Sequence, residues 1–82
     1  MEQNDIDRTL VRTARALLDL TQAELATRAE IALATLKRFE NGSIPTPVIR
    51  SAIFRALEEV GIEFQKTGKN IGVSINVRKL PK

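Results

Sequence analysis

The chain has 82 residues, enough for one small core and too few for a catalytic domain beside a regulatory one. It contains no Cys and no His, which excludes disulfides, thiolate and imidazole chemistry, and the usual zinc ligands. The net charge of +3 is unevenly spread: residues 1–60 carry eight basic against nine acidic side chains, whereas 61–82 carry Lys66, Lys69, Arg78, Lys79 and Lys82 against Glu63 alone.

Apolar residues make up 43% of the chain, so it is expected to fold, and with three Phe as the only aromatics its core must be aliphatic. The first predicted helix runs from about residue 5 to 18, capped by Asn4 or Asp5. Ile6, Leu10, Ala14, Leu17 and Leu18 fall on one face, and Arg8, Arg12 and Arg15 on a neighbouring one. A second helix opens with a capping box, Thr21 as cap and Glu24 three residues on. Ala23, Leu25, Ala26 and Ala29 give this helix small packing residues. The third predicted helix spans about 32–40, with Leu36 and Phe39 inward, Lys37 and Arg38 outward, and Asn41-Gly42 as its stop. A fourth is punctuated by Thr46 as cap, Pro47 in the first turn and Gly61 after the end. Its stripe is Ile49, Ala52, Ile53, Ala56, Leu57 and Val60.

Beyond Gly61 the period changes to two. Ile62 and Phe64 alternate with polar residues, the cluster Thr67-Gly68-Lys69-Asn70 reads as a turn, and Val73, Ile75 and Val77 alternate again. A β-hairpin of about 62–66 and 71–78 is expected, and a lone hairpin needs helices or another strand to cover its apolar face. The domain organisation expected is a helical unit over 1–61 and a basic hairpin tail over 62–82. Within 33–55, Lys37, Arg38, Arg50 and Arg55 against Glu40 make a local basic face, which suits phosphate and also suits plain solvated surface.

Two short helices joined by a tight turn over residues 21–42 form a helix-turn-helix, a device for placing one helix in the DNA major groove. Residues 12–61 resemble the domain of phage repressor and Cro-type (XRE) regulators. The resemblance lies in Arg15, the T-Q-x-E-L-A opening at Thr21 to Ala26, Ile31 in the turn, Thr35-Leu36, the F-E-N-G close at Phe39 to Gly42, and Pro45. It implies a mainly α, four-helix, lambda-repressor-like fold, here with a C-terminal hairpin or strand tail.

By the same resemblance Gln22 and Asn41 face DNA phosphate, while Leu33, Ala34, Thr35, Lys37 and Arg38 face the groove. Arg38 is the candidate for guanine O6 and N7. Leu33 and Ala34 offer only apolar contact, so phosphate contacts and DNA shape are expected to weigh more than base hydrogen bonds. Arg15 and Glu40 are expected to pair and fix the third helix. Two departures from the family pattern stand out. Glu30 occupies a turn position where Gly is usual, at a cost on the order of 1–2 kcal/mol if left-handed. Ala32 stands where Ser or Thr would cap, a loss of about 0.5–2 kcal/mol.

The resulting expectation is a sequence-selective transcriptional regulator binding double-stranded DNA, a small repressor without catalytic residues, metal or cofactor. Its expected setting is a bacterial or phage-derived cytoplasm, with no membrane span. The tail has two readings: Val73, Ile75 and Val77 form a homodimer interface, the preferred one, or the hairpin folds back on the fourth helix and its lysines meet phosphate. The alternative function is an antitoxin or adaptor that uses the fold and basic tail to hold a toxin-type protein partner.

Overall fold

The structure, a computed structural model of the full chain, describes residues 3–67 and 70–75, with side chains over residues 5–64. Four helices lead into an antiparallel hairpin: α1 (Gln3–Leu18), α2 (Gln22–Ala29), α3 (Leu33–Glu40), α4 (Pro47–Val60), β1 (Ile62–Thr67) and β2 (Asn70–Ile75). The expected mainly helical fold with a hairpin tail is the observed one. Among the described residues no helix is long and apolar enough to cross a membrane.

The local signals that start and stop these helices act as their chemistry requires. Thr21 accepts from the Glu24 amide at 3.0 Å, and the Glu24 carboxylate accepts from the Thr21 amide at 3.0 Å. This closes the capping box and satisfies two of the first-turn donors of α2. Thr46 caps α4 through the Ile49 amide at 3.2 Å, and Pro47 follows in the first turn. Three helix ends use one closing device. A residue with positive φ reverses the chain, and the next amide reaches back five residues to an otherwise open carbonyl. Asp19 (φ 54) precedes the Leu20 amide bonded to the Arg15 carbonyl, Glu30 (φ 58) precedes Ile31 bonded to Ala26, and Gly42 (φ 114) precedes Ser43 bonded to Arg38. Glu30 therefore does adopt the left-handed conformation that disfavours a Cβ, and Ala32 opens α3 without a side-chain cap.

The core gathers one stripe from each helix and the first residue of β1. Val11, Ala14, Leu25, Leu36, Phe39, Ile53, Leu57 and Ile62 are buried together, and Leu18, Ile31, Ile49, Phe54 and Phe64 pack on their edge. Leu25, Ala26 and Ala29 turn inward from α2, while Ala23 is exposed.

Helix α1 departs from its expected form. It begins at Gln3, so Asn4 and Asp5 lie inside it and neither caps it; Asp5 instead pairs with Arg8 one turn on. Its buried stripe is Asp7, Val11 and Ala14, with Leu18 partly covered, whereas Leu17 is 48% exposed and Ile6 and Leu10 are half-buried. The stripe is rotated because a buried Asp7 is acceptable there. Arg50 of α4 donates to it through Nε at 2.6 Å and Nη2 at 3.0 Å.

The hairpin is in register Ile62↔Ile75 and Phe64↔Val73; its first strand runs to Thr67, one residue past the expected 66, and its second opens at Asn70, one before the expected 71. β1 lies beside α4 and β2 beside α1. Ile62 is buried, and Phe64 meets Phe54 of α4 with ring centroids 4.7 Å apart. The expected turn residues Gly68-Lys69, Val77 and the segment Arg78–Lys82 lie outside the described residues.

Candidate nucleic-acid interface

Helix α3 is an eight-residue rod with two faces. Leu36, Phe39 and Glu40 are buried, while Leu33, Ala34, Lys37 and Arg38 are exposed and Thr35 is half-buried. The exposed positions recur at i, i+1, i+4 and i+5, one side of a 3.6-residue period. Asn41 is exposed just beyond them. The Thr35 hydroxyl accepts a long 3.5 Å contact from Arg38 Nη2, which lays the guanidinium back along the helix. The outer face thus carries two cations at its C-terminal end and only apolar groups in its first turn.

The far end of this rod is held from below by one carboxylate. Glu40 is 2% exposed. Arg15 donates to it in a fork, Nε to Oε2 at 2.8 Å and Nη2 to Oε1 at 2.7 Å. Two parallel charge-assisted bonds fix direction as well as distance. The remaining Arg15 nitrogen, Nη1, donates to the Leu20 carbonyl at 3.1 Å, in the turn between α1 and α2. Gln22, at the start of α2, donates Nε2 to Glu40 Oε1 at 3.2 Å. One buried carboxylate thereby ties the end of α1, the opening of α2 and the close of α3 into a single unit. Gln22 is half-buried, and its side chain is anchored to the α3 terminus rather than loose in solvent.

The basic face expected over 33–55 is smaller than its sequence suggests. Arg50 turns away from α3 to Asp7, and its guanidinium carbon stands 4.5 Å from the centroid of Phe54. Its hydrogen bond to Asp7 holds its pKa above the ordinary arginine value. Lys37, Arg38 and Arg55 remain exposed. Sequence reasoning missed three further contacts. Arg12 Nε lies 3.9 Å from Glu40 Oε1, Arg8 reaches α3's end so closely that a Cβ on Gly42 would stand 3.1 Å from its Nη1, and Gln22 bonds Glu40. The arginine stripe at 8, 12 and 15 was the only available signal for the first two, and it does not say what the stripe faces.

A family model described as helix-turn-helix matches residues 11–64, well over half of the chain. The chain belongs to the repressor and Cro-type (XRE) helix-turn-helix family. Membership makes it a DNA-binding regulator of transcription in the general sense. The match spans all of α2, α3 and α4 and runs on to Phe64, while Asp7 and Arg8 fall before it. No curated protein matches the chain.

Proposed function

We propose that this XRE-family chain is a small repressor that docks α3 in the major groove and reads DNA in a sequence-selective way. The observation that carries this reading is the exposed stripe Leu33, Ala34, Lys37 and Arg38 on a helix whose end is locked by the Arg15–Glu40 fork. A recognition helix must present side chains outward at a fixed angle, and this one does both. Arg38 contacts guanine, Lys37 contacts a base or phosphate, Thr35 lies near the backbone, and Leu33 and Ala34 pack on thymine methyls. Gln22 and Asn41, at the α2 start and just beyond the α3 end, take phosphates on either side.

The reading includes a two-fold dimer, which brings two α3 helices to half-sites about 34 Å apart. The sheet has two strands among the described residues, and a strand edge is where a second copy would pair. Val73, Ile75 and Val77 supply the apolar row of that interface.

Selection from a randomised DNA pool tests the docking reading. One enriched motif is expected at physiological salt, and Arg38→Ala is expected to cost about 1–3 kcal/mol and relax preference at one position. An unenriched pool overturns it. The sign of regulation is read separately, by a reporter carrying the enriched motif across its promoter. Transcription should fall, and a rise removes the repressor assignment. Light scattering at DNA-binding concentration should give the mass of two chains, and the mass of one removes the dimer.

A further inference from the structure

We propose that Arg12 is a DNA-phosphate contact delivered from α1, outside the two helices of the turn. The proposal rests on the docking reading above and deepens it by one residue.

Arg8, Arg12 and Arg15 form one stripe of α1, and each spends its charge differently. Arg8 pairs with Asp5 and lies over the α3 terminus at Gly42. Arg15 forks on Glu40. Arg12 stands 3.9 Å from Glu40 Oε1, beyond hydrogen-bond range, and that oxygen already accepts from Arg15 and Gln22. Two guanidinium groups therefore face one carboxylate, and the cluster keeps one surplus positive charge.

Burial decides where that surplus lies. The Glu40 side chain is 2% exposed, that of Arg15 20% and that of Arg12 57%. The neutral fork is inside, and the extra cation is in solvent. Its neighbour at this edge is Gln22, which bonds the same Glu40 oxygen and is assigned to phosphate in the docking reading. A phosphate placed over Glu40 would meet the Gln22 amide and the Arg12 guanidinium together. A bare carboxylate at that place would repel the backbone of DNA, and Arg12 over-compensates it. A purely supporting role, in which Arg12 only steadies Glu40, would leave the salt slope of binding unchanged.

The test measures the affinity of the full chain for two duplexes, the enriched site and a scrambled one, across a salt series. Arg12→Gln is expected to lower the log–log salt slope by about 0.9 on both duplexes, and to weaken binding roughly fivefold near ~0.15 M salt with the ratio between duplexes unchanged. Arg12→Lys should keep the slope. A folded Arg12→Gln chain with the wild-type slope overturns the proposal and leaves docking intact; so does a changed base preference at constant slope. Wild-type chain without salt-dependent binding overturns the docking reading, and this proposal with it. Should Arg12→Gln fail to fold by urea titration, phenylglyoxal modification of the wild-type chain replaces it. Bound duplex should protect Arg12, and modification at the free rate overturns the assignment.

Discussion

Glu40 concentrates the demands on this molecule in one side chain. A carboxylate that is almost fully buried is tolerable only if its lone pairs are used, and three donors from two elements use them. Removing only the acid leaves Arg15, itself largely covered, without its fork. Glu40→Ala should therefore destabilise the fold by about 3 kcal/mol, the low end for a broken buried pair, because Arg15 keeps some contact with water. Replacing both partners by apolar residues of similar volume should recover part of that loss, since two desolvated charges are removed together. DNA affinity should stay impaired in both, because the α3 angle and the Gln22 anchor are lost in both. Urea titrations of the single and paired variants check this, and equal losses would count against an energetic coupling. Arg15 and Glu40 were legible as a pair through the family resemblance. Gln22 as a third member was not, because a contact between residues 18 apart leaves no periodic trace in the sequence.

The elements are set by their ends more than by their middles. Helices α2 and α3 have eight residues each, too short to be stable alone, so caps and packing must hold them. The capping box on α2 makes this pH-dependent. The Thr21 amide, and then its hydroxyl, bonds the Glu24 carboxylate and holds its pKa below the usual 4.5. The folded state thus prefers the charged acid. Its contribution is complete above the ordinary glutamate pKa and disappears as pH falls through the lowered folded value. The stability gap between wild type and Glu24→Ala should be constant near neutrality and narrow below pH 4.5, as followed by urea midpoints. A gap that persists in acid would mean that the side chain acts by packing alone. These caps were readable in advance because each is a local residue pattern. The start of α1 was not, since Asp5 found a partner one turn away in Arg8 and the helix ran on past it.

At the scale of the whole molecule, a clamp ties the first helix to the last strand pair. Asp7 on α1 holds Arg50 on α4, Arg50 stacks on Phe54, and Phe54 meets Phe64 of β1. The series links residues outside the family match to the hairpin at its far end. Arg50→Ala should cost on the order of 1–2 kcal/mol, less than a fully buried pair because the side chain is 44% exposed. The same variant should leave the salt slope of DNA binding unchanged, in contrast to Arg12→Gln, since the charge of Arg50 is committed to Asp7. A slope reduced by about 0.9 would instead return Arg50 to the phosphate-binding face.

The sequence by itself determined what is encoded in short intervals: four helices, two of them opened by side-chain caps, the left-handed stop at Gly42, the period-two hairpin, and the stripe of α3 that stays in solvent. Caps and periodicities are properties of neighbours three to five residues apart, so they survive without a fold. The family resemblance already paired Arg15 with Glu40, 25 residues away, and only the tertiary structure decided how the other arginines are spent. Arg50 is bound to a buried acid 43 residues away, and Arg12 is left with charge to spare. Those two read alike in the chain, because the field at each guanidinium is set by carboxylates that only folding brings within reach.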